Sequence, residues 1–219
     1  MATSRPKKTE LLELEPKMQP AQTRATQTYE RILEAAAETL AEVGFERLST
    51  NLVCQRAELT PPALYRYFPN KYALLHELSR RLMERQNAII PKWLTPEVFT
   101  GGLKSLEAAL LGLQLETYEI TRETTGGMWI IRAMRAVPML QEVRLASDLE
   151  VSTYNVELLR EALPHIAPAQ LLLISRVAIE MAYSPMEMLF DDPALEPKAV
   201  MSIVASALAA YFIRLGAAE

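Results

Sequence analysis

The side chains with the clearest capacity for chemistry lie between Leu48 and Lys71, in the run LSTNLVCQRAELTPPALYRYFPNK. The run holds hydroxyl, amide, phenol and guanidinium groups, all of which can hydrogen-bond to nucleic acid. It also holds helix start signals. Ser49 and Thr50 are favoured N-cap residues ahead of an apolar pair, so the spacing predicts a helix of about two turns that runs to Ala57.

Thr60 is predicted to cap a second short helix. Pro61 stands at its first helical position, where a missing N–H costs nothing, and Pro62 is still in the first turn. Leu64 and Phe68 are four apart and are expected to pack inward. The residues that remain to face outward or along the flanks are Ala63, Tyr65, Arg66 and Tyr67. Two short helices, a tight turn and a third helix start are typical of a helix-turn-helix DNA-binding unit.

Over roughly residues 26 to 80 the chain resembles the TetR/AcrR family of ligand-responsive repressors. That family pattern is an amphipathic helix, a glycine-aromatic stop, a Thr-rich cap, the helix-turn-helix, and Asn/Ser-Lys at the start of a long helix. Its last elements stand here as Leu64-Tyr65-Arg66-Tyr67-Phe68 and Asn70-Lys71. One departure is Glu58, at a turn position where many members carry glycine. A left-handed backbone at a non-glycine residue costs on the order of 1 kcal/mol.

The resemblance implies which side chains contact DNA. Apolar groups at the start of the second helix would pack on thymine methyls, whereas an amide or a guanidinium reads adenine or guanine edges. Hydroxyls and a cation at a helix start would hold phosphates. The resemblance implies that Asn51 and Arg66 carry the sequence specificity, and that Arg66 is also able to hold a phosphate. The residues that would face base edges are Pro61, Pro62, Ala63 and Tyr65. The residues that would bind phosphates are Thr50, Tyr67 and Lys71.

The charge of the chain is uneven. The net charge is −4, but residues 1–92 carry 14 basic and 11 acidic residues, whereas residues 93–219 carry 9 basic and 16 acidic residues. The first part is therefore positive and suits a face that binds nucleic acid. A charged surface that is simply solvated is the alternative interpretation.

Helical periodicity extends along the chain and predicts an all-α fold without strand alternation. An apolar stripe over 28–43 predicts a helix that ends at Gly44, and a longer helix is expected from Asn70 to about Ile90, ended by Pro91. Later helices are predicted over about 103–121, 127–135, 138–163, 168–190 and 195–215. We expect a flexible arm at 1–22, a three-helix helix-turn-helix domain at 23–72, and a larger helical effector-binding and dimerisation domain at 73–219.

The last predicted helix has no charge from Ala199 to Ile213. Its 15 uncharged residues fall short of the ~20 that cross a bilayer, so burial against another helix is favoured. Small residues on it suit a dimer interface, and a core helix of a monomer is the alternative. The small residues are Ser202, Ala205, Ser206, Ala209 and Ala210. No signal peptide is recognised and Cys54 is a lone cysteine, so a cytoplasmic location is expected.

The sequence offers little for an enzyme. His76 and His165 are its only histidines, and no Cys/His cluster has metal-ligand spacing. Glu161 and His165 are four apart, but Pro164 is expected to end that helix between them. We therefore predict no catalytic site, no metal and no cofactor.

The resemblance instead implies a ligand pocket in the second domain. Aromatic and methionine side chains would form adaptable apolar walls, and an arginine would anchor an acidic ligand. The candidate contacts are Tyr118, Trp129, Arg132, Met134, Tyr154 and Tyr183, with Met128, Met181, Met186, Met188, Arg122 and Arg135 as further members. Core packing is the alternative for each.

We therefore expect a ligand-responsive transcriptional regulator, as the resemblance implies. It would act as a repressor, bind a pseudo-palindromic operator on double-stranded DNA as a homodimer, and be released by a small-molecule inducer, with no membrane contact. The alternative is a helical ligand-binding or scaffold protein without specific DNA binding.

Overall fold

The computed structural model describes residues 13–17 and 23–217, and within these ranges it contains helices and no strand. They form two compact units, the first ending at Leu78 and the second beginning at Ser79. The predicted arm at 1–22 lies outside the described residues except for 13–17. The helices are α1 Thr23–Arg47, α2 Thr50–Arg56, α3 Pro61–Tyr65, α4 Lys71–Asn87, α5 Ile90–Trp93, α6 Pro96–Thr100, α7 Gly102–Glu123, α8 Gly127–Ala136, α9 Gln141–Ala162, α10 Pro168–Asp191 and α11 Pro197–Gly216, with a 3₁₀ turn at Pro138–Leu140.

The predicted all-α fold is confirmed, and most helix bounds agree with the sequence pattern. In α1, Ile32, Ala36 and Leu40 are fully buried, as the apolar stripe predicts. Gly44 has φ 74° and ψ 170°, so the continuous helix stops there, where the sequence predicted its end. A short turn follows, in which the Leu48 amide donates to the Gly44 carbonyl at 3.1 Å.

The helix-turn-helix unit is held by the predicted caps and core residues. The Ser49 side chain caps α2 by accepting from the Leu52 amide at 3.3 Å. Pro61 opens α3, although Thr60 makes no side-chain cap bond there. Leu64 and Phe68 are fully buried, and the Phe68 ring stacks on Tyr29 with centroids 4.9 Å apart. These contacts fix α3 on the small core of the first unit.

Glu58 lies in the turn between α2 and α3 with φ 51°, the one positive φ found at a non-glycine residue among those described. The sequence prediction of a left-handed backbone here is confirmed. The strain is local, since α2 ends at Arg56 and Ala57 continues in the right-handed region.

Glu58→Gly is expected to stabilise the first unit by up to about 1 kcal/mol, because glycine adopts this conformation without the Cβ clash. Thermal unfolding followed by circular dichroism measures the gain, and hydrogen exchange of the α2 and α3 amides localises it. Glu58→Ala is the matched control, because it removes the charge and keeps the Cβ. An equal gain in both variants would show that charge, rather than backbone strain, limits stability.

The helix after the turn is capped as predicted but ends earlier. Asn70 Oδ1 accepts from the amides of Tyr72 and Ala73 at 2.9 and 3.0 Å. The prediction that this helix reaches Ile90 is wrong, since α4 ends at Asn87 and Pro91 lies in the first turn of α5. A proline is tolerated in a first turn because no intrahelical partner is needed for its nitrogen. The chain therefore starts a new helix at the proline instead of ending one there.

The second unit is a set of packed helices in which α7 lies against α11 and α9 against α10. Its main core is aliphatic, with one phenylalanine from α11. The buried members on these four helices include Leu106, Leu110, Val156, Leu159, Leu171, Ile174, Leu208 and Phe212. The short helices α5 and α6, which sequence periodicity did not predict, lie before α7 and contribute Ile90 and Val98 to this core.

Helix α11, which is uncharged from Ala199 to Ile213, is the one described helix with the length and composition to cross a membrane. One of its faces packs on α7, and Ala205 and Ala209 are completely buried there within the chain. Ser206 donates to Glu107 of α7. The prediction of a dimer interface is therefore wrong for Ala205 and Ala209, because their side chains are buried inside the protomer, whereas Ser206 is half-buried. Ser202 is half-buried and Ala210 is exposed.

Candidate nucleic-acid interface and ligand cavity

The short helices α2 and α3 present most of the predicted DNA contacts to solvent. Asn51, Tyr65 and Arg66 are exposed, whereas Thr50 and Ala63 are half-buried. Neither the Asn51 nor the Arg66 side chain has a hydrogen bond or an ion pair with another described residue. The two side chains best suited to reading base edges are therefore available. Pro61 and Pro62 at the start of α3 are also exposed.

A hydrogen bond joins the two helices at this surface. Thr50 Oγ1 and Tyr65 Oη are 3.0 Å apart, and either hydroxyl can be the donor. One hydroxyl hydrogen is used in this bond, which leaves the other free to donate to a phosphate oxygen. The pair therefore orients the Tyr65 ring relative to the start of α2.

Tyr67 is placed differently from the prediction. Its side chain is 6% exposed and contacts Tyr29 edge-on, with ring centroids 6.2 Å apart. The outward-facing expectation for Tyr67 is wrong, because Tyr29 on α1 covers this side of α3. Its carbonyl also accepts from the Lys17 amide at 2.8 Å.

Lys71 has local partners in the first unit. Its Nζ lies 3.3 Å from the Glu46 carbonyl and 3.5 Å from the Phe45 carbonyl, at the C-terminal turn of α1. Carbonyls at a helix C-terminus attract a cation, so Lys71 ties the start of α4 to the end of α1. An ammonium carries three donors, so a phosphate contact is compatible with this role.

Ion pairs reduce the positive potential elsewhere on the unit. Arg56 on α2 binds Glu42, and its Nη1 lies 3.5 Å from Glu38. These carboxylates raise the pKa of Arg56, chiefly through the hydrogen bond that Arg56 donates to Glu42. Arg56 is therefore already neutralised, and Arg66 contributes the unpaired cation at the α2–α3 face.

The second unit contains a cavity of about 110 Å³ whose walls come from α4, α5, α6, α7, α9, α10 and α11. Most of the wall is apolar. The apolar members include Ile90, Leu94, Phe99, Leu110, Leu113, Val151, Ile179, Met186, Leu208 and Phe212. A mostly apolar cavity with a few polar groups is the usual form of a small-molecule site.

Polar side chains interrupt this wall at defined places. Tyr183 Oη donates to Gln86 Oε1 at 2.7 Å, and Gln86 Nε2 donates to Thr121 Oγ1 at 2.8 Å. Burial raises the pKa of Tyr183, so the phenol stays protonated. Asp148 accepts from Arg144 at 3.0 Å, and its pKa is raised, mainly by burial.

Of the predicted ligand contacts, Tyr183 and Met186 line this cavity. Tyr118 packs in a separate core beside Phe190, with ring centroids 5.2 Å apart. Tyr154 donates to the Leu94 carbonyl at 3.0 Å. The other predicted side chains that the cavity wall does not include are Trp129, Arg132, Met134, Met128, Met181 and Met188.

The arginines proposed as anchors for an acidic ligand bind carboxylates of the protein. Arg122 pairs with Glu119, Arg132 with Glu187 and Asp191, and Arg135 with Glu180. Sequence reasoning missed Gln114, Asp148 and Asn155 on the cavity wall. Gln114 had a recognisable signal, because it stands four residues from both Leu110 and Tyr118 on the apolar stripe of α7.

The residues weighed for catalysis do not form a site. α9 ends at Ala162, so the predicted stop before Pro164 is confirmed. Glu161 and His165 are both exposed, and His165 Nε2 lies 3.0 Å from the Leu215 carbonyl. Within residues 13–17 and 23–217, no three His, Cys, Asp or Glu side chains are grouped to hold a metal. Cys54 is buried, as expected of a small core residue.

Comparison with known proteins places the N-terminal unit in a family. The pattern described as "Bacterial regulatory proteins, tetR family" matches residues 32–78. The HTH-type transcriptional regulator UidR of Escherichia coli (strain K12) is 38% identical over 64 residues, which are 29% of this chain and 33% of that protein. The tetracycline repressor protein class G of Vibrio anguillarum is 37% identical over 62 residues, which are 28% of this chain and 30% of that protein. The matched stretch thus spans about a third of these relatives.

Solved structures share the fold over most of the chain. Salmonella enterica GusR has a TM-score of 0.64 at 20% identity, covering 90% of this chain and 98% of its own. The SmeT–triclosan complex has a TM-score of 0.63 at 21% identity, covering 84% of this chain and 90% of its own. Fold and motif define a helix-turn-helix protein with an all-helical second unit. The helix-turn-helix segment at residues 32–78 matches the TetR family of regulators.

Proposed function

We propose that this protein is a ligand-responsive transcriptional repressor that binds a pseudo-palindromic operator as a homodimer and is released by a small molecule. Residues 23–72 bind DNA in this proposal, and residues 73–219 bind the effector and dimerise. The exposed α2–α3 face carries the proposal, because the side chains of Asn51 and Arg66 have no partner there among the described residues. The other side chains of the proposed contact set are Thr50, Pro61, Pro62, Ala63, Tyr65 and Lys71.

The dimer is supported by an apolar stripe on the last two helices. Leu173, Val177 and Met181 of α10 are exposed at a spacing of four residues. Ile203 of α11 is 72% exposed, and α10 and α11 contact each other. A contiguous exposed apolar patch marks an interaction surface. A second copy of the chain would cover it and place two α3 helices on half-sites about 34–36 Å apart, or a multiple of that distance.

The effector role rests on the cavity in the second unit. The solved complex of SmeT with triclosan is a protein of this fold with a small molecule. α4 begins with Lys71 and contains Gln86 and Asn87, which line the cavity. A ligand that favours a different setting of α4 would change the spacing of the two α3 helices. A coupling free energy of about 1–3 kcal/mol lowers DNA affinity some 5–150-fold.

Binding to DNA selected from a random pool tests this function. Fluorescence anisotropy at two or more salt concentrations is expected to give steeply salt-dependent binding, because each neutralised phosphate releases counterions. Sedimentation of the complex should show two chains on one duplex. The alternative, a helical ligand-binding or scaffold protein without specific DNA binding, has one supporting observation: α3 opens with Pro61, Pro62 and Ala63, which cannot hydrogen-bond to bases. Weak binding that is equal for selected and scrambled DNA would favour that alternative.

A further inference from the structure

Three hydroxyl groups on the cavity wall, those of Tyr183, Ser147 and Thr117, donate their protons to acceptors of the protein. Thr121 Oγ1 donates to the Thr117 carbonyl at 2.9 Å, and a carbonyl can only accept. Thr121 Oγ1 must therefore accept from Gln86 Nε2, which orients the Gln86 amide and makes its Oε1 the acceptor for Tyr183. The Tyr183 hydroxyl thus has its proton engaged. It can only accept a hydrogen bond from a ligand.

A second chain of hydrogen bonds has the same direction. Asn87 Nδ2 donates to Glu150 at 3.0 Å, and a carboxylate fixes that amide as the donor. Asn87 Oδ1 then accepts from Ser147 Oγ at 3.1 Å. The Thr117 hydroxyl likewise donates to the Leu113 carbonyl at 2.8 Å. Ser147 and Thr117 both line the cavity and, like Tyr183, offer only acceptor lone pairs.

Gln114 adds an acceptor without a partner. Its side chain is 4% exposed, and its Nε2 donates to the Leu110 carbonyl at 3.3 Å. The carbonyl partner fixes the orientation of the amide, so the atom left over is Oε1. Gln114 Oε1 is buried and has no hydrogen-bond partner. An unsatisfied buried acceptor is costly, and a donor on a ligand would satisfy it.

The charged side chains of the cavity wall also favour a ligand with hydrogen-bond donors over an anionic ligand. The cavity lining, all of it in the described part of the chain, has no Lys, Arg or His side chain and includes the carboxylate of Asp148. Asp148 accepts from Arg144, which is outside the lining. The Asn155 amide donates to Ser175 Oγ at 3.0 Å, so Asn155 Oδ1 is a second buried acceptor without a partner among the described residues. The donors left on the wall are the Ser175 hydroxyl and the second N–H of each wall amide.

From these observations we propose that the cavity selects an apolar ligand that carries hydrogen-bond donors, such as a hydroxyl or a protonated amine, and that it rejects carboxylates. This inference rests on the proposed function in that the cavity is the effector site. It replaces the sequence expectation of an acidic ligand anchored by arginine. A carboxylate would meet acceptors and a negative charge without a cation to compensate its lost hydration.

Four probes with one carbon skeleton test the inference on the full chain: 4-phenylbutan-1-ol, 4-phenylbutylamine, the methyl ether of the alcohol, and 4-phenylbutyrate. Isothermal titration calorimetry measures their affinities without DNA. The alcohol and the amine are expected to bind about tenfold more tightly than the ether, since a hydrogen bond to a buried acceptor is worth about that factor. The carboxylate should bind most weakly. Tightest binding of the ether or the carboxylate, or no binding by any probe at millimolar concentration, would overturn the inference.

Gln114→Met assigns the selectivity to a residue, because it removes the acceptor at similar volume. In this variant the alcohol is expected to lose its advantage over the ether, while the unliganded protein becomes no less stable. Gln141→Met, at an exposed position of α9 outside the cavity wall, is the matched control. DNA binding of the same samples is measured separately. If the alcohol and the amine bind more tightly than the ether but do not change DNA affinity, the result supports the proposed ligand class and counts against the proposed repressor. If the protein binds DNA but does not prefer the probes with donors, the result supports the proposed DNA-binding function and counts against the ligand class.

Discussion

Arg66→Ala is expected to lower affinity for the selected operator about 5- to 150-fold, because one bidentate base contact carries about 1–3 kcal/mol. Asn51→Ala should have an effect of the same order, through an adenine edge. Neither side chain has a protein partner among the described residues, so the native fold loses no contact and circular dichroism should be unchanged. Fluorescence anisotropy with the selected DNA measures the change.

The way in which DNA affinity falls in the Arg66→Ala variant distinguishes a base contact from a phosphate contact. If Arg66 reads a base, the variant should discriminate less between the operator and a version mutated at one position. If it binds a phosphate, affinity should fall uniformly and the slope of log affinity against log salt should decrease by about 0.9. Arg160→Ala, at an exposed arginine of α9 in the second unit, removes the same charge and is the control. Unchanged affinity in both α2 and α3 variants would contradict the assignment of this face to DNA.

Ile203→Glu is expected to convert the protein to a monomer, since it places a charge at the most exposed large hydrophobic side chain of the described residues. A charge buried at a dimer interface without a partner costs several kcal/mol. At a truly solvent-exposed position the same change is nearly neutral for stability. Sedimentation equilibrium should therefore report the mass of one chain, with an unfolding temperature close to that of the wild type.

Loss of the dimer should also weaken operator binding about a hundred- to ten-thousandfold, because the second half-site no longer benefits from linkage to the first. Leu149→Glu is the matched control, at another exposed leucine that lies on α9 rather than on the α10–α11 stripe. If Ile203→Glu leaves the mass and the affinity unchanged while Leu149→Glu alters them, the interface lies on α9 instead.

Much of the helix-turn-helix could be predicted because its signals are local. The Ser49 cap, the start of α3 at Pro61 and the Asn70 cap each depend on residues within one turn of the helix end. The positive φ of Glu58 likewise follows from a short turn between two helices. The burial of Tyr67 was not predicted, because helical periodicity places a residue on a flank but does not show that Tyr29 covers that flank.

In the second unit, helical periodicity predicts where the helices lie, but tertiary packing decides what each buried face contacts. Sequence by itself determined that the chain is all-helical and where α7 to α11 lie, since a buried stripe every three to four residues is a local signal. It also identified the residues of α2 and α3 that belong to a DNA-binding motif. Tertiary structure alone decided that Ala205 and Ala209 pack inside the protomer while Ile203 is exposed, and that Gln114 faces a cavity while Tyr118 faces core. The physical reason is that a helical stripe indicates which face is buried, whereas only the packed neighbours determine whether that face meets a side chain, an empty volume or a second chain.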